Sequence, residues 1–182
     1  MKETNEITLK GIRTFELPVF HDDRGYLVPF PYGELENQIG ARFIQENVSK
    51  SKKNVVRGMH YQWDEPTGKL VRVLAGKVMD VVVDIRNDSP TYGRYESIIL
   101  SGTNNKVIWI PEGFAHGFIS LEDNSIMIYK NTSVYNPKSD GSINPFCQDI
   151  NINWGISIKD ARLSPKDRAA QSLTEYGKNP KF

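Results

Sequence analysis

Three histidines, His21, His60 and His116, carry the chemistry of this chain that is most open to interpretation. The most informative is His60, which stands in the middle of a predicted strand, in the run RGMHYQ at residues 57–62. An imidazole in this setting is a buried core group, a metal ligand or a base that accepts a proton near neutral pH. Its neighbours in the sequence decide among these three roles.

A metal site on a β-barrel usually needs two histidines two residues apart, a nearby carboxylate and a distant third histidine. The positions two away from His60 are Gly58 and Gln62, so the paired histidine is missing. His116 and a carboxylate such as Asp80 are the ligands left to join His60. We therefore expect no bound metal and no other cofactor, and keep a metal-dependent protein as an alternative.

The surroundings of His60 favour a base. An ideal strand puts Arg57 and Tyr61 on the face opposite His60, and Gly58 on the same face, where it leaves room for a ligand. The turn DEPTG then leads to Lys69, which a hairpin would bring back towards His60. A neighbouring cation favours the neutral imidazole, which is a usable base near pH 7.

Other polar residues give weaker signals. Tyr129 shares one strand face with Met127 and Asn131, and this spacing alone indicates an ordinary barrel aromatic. His116, between two aromatics in PEGFAHGF, suits a structural histidine at a strand end. Arg24 supplies a cation, and Gln45 and Asn47 supply two amides. These groups suit a phosphate and a polar ring edge, but solvated loop residues look the same.

Short strands must position these residues. The run VRVLAGKVMDVVVDIR, at residues 71–86, is rich in Val and Ile and is broken at Ala75-Gly76, which predicts two strands with a tight connection. Further strands are predicted at residues 41–49, 54–62, 95–101, 106–111, 117–120 and 125–133, with turn residues between them. Many short strands at near-regular spacing predict an all-β protein, and we expect a jelly-roll barrel with a few short peripheral helices.

The second strand of that run alternates strictly. One face carries Met79, Val81, Val83 and Ile85, and the other carries Val78, Asp80, Val82 and Asp84. A carboxylate among valines indicates that Asp80 points into an interior site.

Two helices are predicted outside the barrel. One covers residues 33–40, and the other covers residues 164–173, with Ser164 as the N-cap, Pro165 at the first helical position and Asp167 three residues after the cap. The tail from about residue 174 is expected to be loose.

Bulk properties predict one domain over residues 1–182 in the cytoplasm. The net charge of +1 has no strong bias, so neither a nucleic acid nor a membrane is an expected partner. The only cysteine, Cys147, cannot form an internal disulfide, which suits a reducing compartment. The first residues, MKETNEITLK, lack the apolar stretch of a signal peptide, and no apolar run approaches the length needed to cross a bilayer.

Eight motifs occur together in a fixed order: DDRGY, QENVSKS, VVRGMHYQ, TGKLVRVLAG, MDVVVDIRNDSPTYG, WIPEGFAHGF, IYKNTSVY and LSPKDRAA. With them the chain resembles, over nearly its whole length, the dTDP-4-dehydrorhamnose 3,5-epimerases, which are cupin-type nucleotide-sugar epimerases. The resemblance implies a jelly-roll fold, a homodimer and no metal. It also implies an enzyme that inverts C3, C5 or both carbons of a nucleotide-linked 4-keto-6-deoxyhexose.

The resemblance assigns roles to individual residues. It implies that His60 is the catalytic base, Asp167 the carboxylate that orients and charges it, Lys69 the cation beside the substrate's carbonyl oxygen, and Tyr129 the acid on the opposite face of the sugar. Nucleotide-diphosphate contacts would come from Arg24, Gln45, Asn47 and Arg57, with Phe20 lining the nucleotide site. The remaining expected substrate-binding residues are Asp80, His116 and Tyr135.

These residue types fit the implied chemistry. A 4-keto group acidifies the hydrogens at C3 and C5, and a neutral histidine removes one to give an enolate. A fixed cation beside the enolate oxygen supplies preorganised charge. A carboxylate on the histidine sets its tautomer and favours the imidazolium. A second acid returns the proton to the other face, and no redox cofactor is required.

The chain departs from the family pattern at Pro29. In the family, a glutamate that recognises the nucleobase usually follows RGYLV. Proline has no hydrogen-bonding side chain, so the resemblance implies the identity of the nucleotide less firmly than it implies the epimerase chemistry. Val134 replaces one of two paired tyrosines, and INPFCQD replaces an acidic stretch. The alternatives are an epimerase acting on C3 or C5 alone, a ketoisomerase on another nucleotide sugar, a metal-dependent cupin, and a sugar-binding module without catalysis.

Overall fold

The chain folds into two antiparallel sheets that face each other across an apolar interior. A computed structural model describes residues 1–4 and 6–182. Its strands, in chain order, are β1 (Lys2–Thr4), β2 (Arg13–Glu16), β3 (Phe20–Asp22), β4 (Gly25–Leu27), β5 (Gln45–Ser51), β6 (Val56–Gln62), β7 (Lys69–Ala75), β8 (Lys77–Asp84), β9 (Tyr95–Ser101), β10 (Lys106–Ile110), β11 (Phe114–Ser120), β12 (Ser125–Asn131) and β13 (Asp140–Ser142). Its helices are α1 (Tyr32–Ile39), α2 (Pro165–Arg168) and α3 (Leu173–Tyr176).

The strand order confirms the predicted all-β jelly-roll barrel with a few short helices. One sheet has the order β1-β2-β10-β7-β12-β5, and the other has the order β13-β6-β11-β8-β9. The hairpin of β3 and β4 forms a separate small sheet. Of these strands, β1 to β4 and β13 lie outside the segments predicted from the sequence, because each has only three or four residues.

Alternating side chains separate an interior core from two outer layers. Between the sheets, Val78 and Val82 of β8 meet Val71 of β7 and Met127 of β12. The opposite face of β8 packs under the C-terminal part of the chain, whose buried members include Ile143, Ile150, Ile152 and Trp154. Helix α1 covers part of the other sheet's outer face through Leu35. The two-residue alternation predicted for β8 is thereby confirmed.

The C-terminal segment differs from its prediction. The expected helix over residues 164–173 is two short helices, α2 and α3, and the expected loose tail packs on the barrel. Tyr176 is 1% exposed, and its hydroxyl donates a hydrogen bond of 3.0 Å to the carbonyl of Ile85. The backbone N–H of Asn87 donates to the carbonyl of Phe182. Aromatic burial against the five-stranded sheet therefore orders a tail whose local sequence suggested disorder.

The pairing of β6 with β11 contains an irregularity beside His60. His116 lies opposite His60 and Phe118 lies opposite Arg57, so two steps along β11 match three steps along β6. The extra residue makes a bulge, which breaks the side-chain alternation. Gly58 lies within the bulge at a φ of +129°, and a Cβ added there would approach the Cα of Gly117 to 2.5 Å. Only glycine fits this close approach of the two backbones.

We expect Gly58→Ala to lower the free energy of unfolding by about 2–5 kcal/mol, because the new methyl group clashes with backbone atoms and the φ angle disfavours a side chain. Urea unfolding measures the change. The matched control is Gly33→Ala on the exposed surface of α1, where an added Cβ meets nothing within 4 Å. That control should be neutral or stabilising by up to about 1 kcal/mol. Equal stability of Gly58→Ala and the unchanged protein would refute the close approach.

Candidate active site

A cleft opens between the two sheets and contains most of the residues singled out in the sequence. One lobe has a volume of about 220 Å³, and an adjoining lobe has a volume of about 160 Å³. Four side chains line both lobes: His60, Lys69, Tyr129 and Lys166. We treat the two lobes as one cleft because these four residues join them.

A short polar contact in the cleft joins His60 to Asp167. The distance between Nε2 of His60 and Oδ1 of Asp167 is 2.6 Å. The His60 side chain is 34% exposed and the Asp167 side chain only 3% exposed. With Nε2 held by the carboxylate, Nδ1 is the nitrogen that remains for a proton from substrate. Asp167 is therefore positioned to orient the His60 imidazole.

Local sequence fixes Asp167 in place. Ser164 caps α2, and its hydroxyl accepts a hydrogen bond of 3.0 Å from the backbone N–H of Asp167. Pro165 occupies the first turn, as the sequence predicted. Upstream of the helix, the carbonyl of Arg162 accepts a hydrogen bond from the backbone N–H of Val56 at the start of β6. The segment that carries the carboxylate is thus attached to the strand that carries the histidine.

Burial and hydrogen bonding act in opposite directions on Asp167. Burial alone would raise the pKa of this carboxyl, since it penalises the charged form. Three effects outweigh burial and hold the pKa of Asp167 below its usual value. They are the hydrogen bond with His60, the positive charge of the His60 imidazolium and the hydrogen bond with the Ser164 hydroxyl. The carboxylate is therefore ionised at neutral pH and available to stabilise an imidazolium.

The bulge in β6 changes which side chains accompany His60. The expectation that Arg57 lies on the opposite face is wrong, because both side chains line the same lobe. The extra residue between them shifts the alternation by one position. Tyr61 does lie on the other face, in the outer core. The sequence led us to expect that Gly58 leaves room for a ligand. The structure shows that it instead leaves room for the backbone of β11.

Lys69 reaches His60 by a different route from the one expected. Strands β6 and β7 belong to different sheets, so they do not form a hairpin. Lys69 instead crosses the interior, and its Nζ donates a hydrogen bond of 3.3 Å to the backbone carbonyl of His60. Burial lowers the pKa of Lys69 to about 8, which leaves it mostly protonated at neutral pH.

Tyr129 faces the cleft from the sheet opposite His60. It lies on β12, beside Val71 of β7, and packs against the interior core. Burial raises the pKa of Tyr129 above its usual value, against the weaker opposing effect of Arg57. The phenol therefore keeps its proton at neutral pH and is available as an acid. Its position on the cleft wall goes beyond the ordinary barrel aromatic that its spacing alone indicated.

A second histidine–carboxylate pair lies next to the first. Nε2 of His116 is 2.8 Å from Oδ2 of Asp80, and both residues are buried. His116 lines the larger lobe and lies opposite His60 across the β6–β11 pairing. It therefore does more than pack a strand end. The other oxygen of Asp80, Oδ1, is buried without a hydrogen-bond partner among the described residues.

The smaller lobe contains one of the predicted amides and the predicted tyrosine. Asn47 and Tyr135 line it, and Gln45 holds both of them: its amide donates to Oδ1 of Asn47 at 3.0 Å, and its carbonyl accepts from the backbone N–H of Tyr135 at 2.8 Å. Two charged residues in this lobe, Asp140 and Lys166, did not stand out in the sequence. Only the position of Lys166 next to Asp167 could have drawn attention to it.

Four predicted substrate-binding residues do not line the cleft: Gln45 and Asp80, which contact the lining residues Asn47 and His116, and Phe20 and Arg24. Phe20 and Arg24 lie on the hairpin of β3 and β4, and neither lines the lobes around His60. Phe20 is 60% exposed, and the Arg24 side chain is 86% exposed. The guanidinium of Arg24 pairs with Asp22 of the same hairpin at 2.6 Å.

Residues 1–4 and 6–182 contain no group of three histidine, cysteine or carboxylate side chains close enough to hold a metal ion. In the same ranges, no helix has the length and apolar character needed to cross a membrane.

Comparison with known proteins matches this chain to one family. The family model described as dTDP-4-dehydrorhamnose 3,5-epimerase matches residues 6–175. The chain is 46% identical over 171 residues to the dTDP-4-dehydrorhamnose 3,5-epimerase of Salmonella typhimurium, a match that covers 92% of this chain and 93% of the relative.

Two solved structures have the same fold. A dTDP-6-deoxy-D-glucose-3,5-epimerase from Legionella pneumophila, in complex with dTDP-4-keto-L-rhamnose, has a TM-score of 0.88 and 42% identity, over 92% of this chain and 90% of that chain. A 3'-monoepimerase from Streptomyces bikiniensis, in complex with dTDP-quinovose, has a TM-score of 0.88 and 29% identity, over 94% and 88% of the two chains. The chain belongs to the dTDP-4-dehydrorhamnose 3,5-epimerase family.

Proposed function

We propose that this protein inverts C3 and C5 of dTDP-4-dehydro-6-deoxyglucose to give dTDP-4-dehydrorhamnose. The observation that carries the proposal is the placement of a carboxylate-bound histidine on one sheet and a partly buried tyrosine on the facing sheet of the same cleft. Epimerisation needs a base on one side of a ring and an acid on the other. The matched relatives are named for this activity, which identifies the substrate class.

In this mechanism His60 removes the hydrogen from the carbon next to the 4-keto group. The electron pair of the broken C–H bond moves to the ketone oxygen and gives an enolate, while Nδ1 of His60 takes the proton. Asp167 stabilises the resulting imidazolium because it is charged and lies 2.6 Å from Nε2. Lys69, still mostly protonated at neutral pH, stabilises the enolate oxygen.

Tyr129 completes the inversion from the other sheet. Its phenol, held protonated by burial, donates a proton to the opposite face of the enolate carbon. Solvent then restores the tyrosine and the histidine to their starting states. The same arrangement serves C3 and C5, since both carbons adjoin the 4-keto group.

The base is tested by His60→Asn and the orienting carboxylate by Asp167→Asn. Each variant should lose about 10²–10⁴-fold in kcat with dTDP-4-dehydro-6-deoxyglucose, since each removes a part of the positioned base. NMR in D₂O checks this by following deuterium at C3 and C5 separately. Asp160→Asn, an exposed carboxylate outside the cleft, is the matched control and should keep full activity.

Near-normal exchange at both carbons in His60→Asn would remove His60 as the base. Exchange at only one carbon in the unchanged protein would instead identify a monoepimerase, like the Streptomyces bikiniensis relative.

We also propose a homodimer in which the hairpin of one chain completes the cleft of the other. The hairpin carries Phe20 and Arg24, which the family resemblance assigns to the nucleotide site, yet both are exposed and outside their own chain's cleft. A second copy resolves this difference, because it lets these residues act on a cleft that they cannot reach within one chain.

An exposed apolar face supports such an assembly. On the outer surface of the six-stranded sheet, Val48 of edge strand β5 is 64% exposed and Leu74 of β7 is 41% exposed. Ile44, just before β5, is 61% exposed. Exposed apolar side chains that share one sheet face favour an interface between subunits.

The free cysteine, Cys147, supports our further proposal that this one-domain enzyme acts in the cytoplasm.

Mixed dimers test the shared site. We expect His60→Asn and Arg24→Glu each to be strongly impaired when alone. In a mixed dimer, the subunit that keeps His60 receives Arg24 of the partner subunit, so one native site is restored. Random pairing makes about half of the dimers mixed, and activity should recover to about a quarter of the unchanged enzyme. Absence of recovery, with mixed dimers demonstrated by native mass spectrometry, would contradict the shared site.

A further inference from the structure

Three charged side chains lie on the wall of the smaller lobe of the cleft. Lys69, Asp140 and Lys166 line the same lobe. Asp140 lies on β13, opposite Gln62 of β6, and its Oδ2 accepts hydrogen bonds from Nζ of Lys166 and from the hydroxyl of Tyr135 at 2.7 Å. The carboxylate is therefore fixed in position by two donors from different segments of the chain.

Lys69 has no carboxylate of its own. Its ammonium group donates to the backbone carbonyl of His60, and it takes part in none of the ion pairs among residues 1–4 and 6–182. Burying an ammonium group without a paired anion disfavours its charge. The proposed mechanism nevertheless needs Lys69 charged, because a neutral amine cannot stabilise the enolate to the same degree.

From this arrangement we propose that Asp140 and Lys166 are positioning residues of opposite effect, which together set how much of Lys69 is protonated in the working enzyme. The proposal rests on the function proposed above and adds residues to it. The Asp140 carboxylate favours the ammonium form of Lys69, and the Lys166 ammonium disfavours it. Their ion pair keeps both charges at a fixed place beside Lys69.

Other groups also face Lys69, and their charges must be counted. Those that are negative when ionised are Asp80 on β8, Tyr129 on β12, Tyr135 after β12 and Asp167 on α2. Those that carry or can gain a positive charge are Arg57 and His60 on β6 and His116 on β11. Asp167 and Asp80 are already paired with His60 and His116. Asp140 and Lys166 are the pair whose removal leaves both of these histidine pairs intact.

Labelling of Lys69 in the protein without substrate tests the proposal directly. The rate of acetylation by acetic anhydride, measured at Lys69 by mass spectrometry across neutral to alkaline pH, gives the pKa of that amine. Exposed Lys159 serves as the internal reference for the reagent. We expect Asp140→Asn to shift the Lys69 profile to lower pH, and Lys166→Gln to shift it to higher pH, each by on the order of one unit.

The opposite signs separate an electrostatic role from a structural one. If the two substitutions merely opened the cleft, water would reach Lys69 and both profiles would move to higher pH. That outcome, or two unmoved profiles, would overturn the proposal. Because labelling needs no substrate, the result stands even if the proposed epimerase activity fails.

The activity provides a second, independent measurement. In Asp140→Asn, the decrease of kcat/KM at alkaline pH should move to lower pH. The size of this shift should equal the shift of the Lys69 labelling profile. In a Lys69→Arg background, where the cation does not titrate, adding Asp140→Asn should leave the position of the alkaline fall unchanged. A shift that persists in the Lys69→Arg background would assign the effect to a group other than Lys69.

Discussion

The hydrogen bond between His60 and Asp167 is the interaction on which the rest of the site depends. It joins residues 107 positions apart at a distance of 2.6 Å, with the carboxylate almost wholly buried. A buried charge is tolerated only when it is paired and hydrogen-bonded. His60 satisfies that requirement, and the capped helix α2 and the attachment of Arg162 to β6 hold the carboxylate in position.

The two-sheet barrel supplies what an isolated histidine–carboxylate pair lacks. Because the sheets face each other, His60 on β6 and Tyr129 on β12 line the cleft from different sides. Burial in the interior then acts differently on each group. It keeps the Tyr129 phenol protonated, and it lowers the pKa of Lys69 towards the neutral range without removing the charge at neutral pH. One fold thus sets both the geometry and the protonation states.

Local patterns predicted much of this molecule. The alternation of β8 follows from a period of two, and the cap at Ser164 follows from its residue types. The β6 bulge could not be predicted, since Gly58 looks the same in a regular strand and its conformation depends on the distant Gly117. The ordered tail depends on Tyr176 docking against the barrel, and the approach of Asp140 to Lys69 depends on β13 pairing with β6. These are contacts between distant parts of the chain.

We propose that acid and base act from opposite sheets, and Tyr129→Phe tests this most directly. The variant is incubated with dTDP-4-dehydro-6-deoxyglucose in D₂O, and NMR follows both deuterium incorporation and inverted product. In the proposed mechanism, enolate formation needs only His60, Asp167 and Lys69, so exchange should continue. Inverted product should fall by about 10²–10⁴-fold, because protons return to the face they left. Product formation at the rate of the unchanged enzyme would contradict the account.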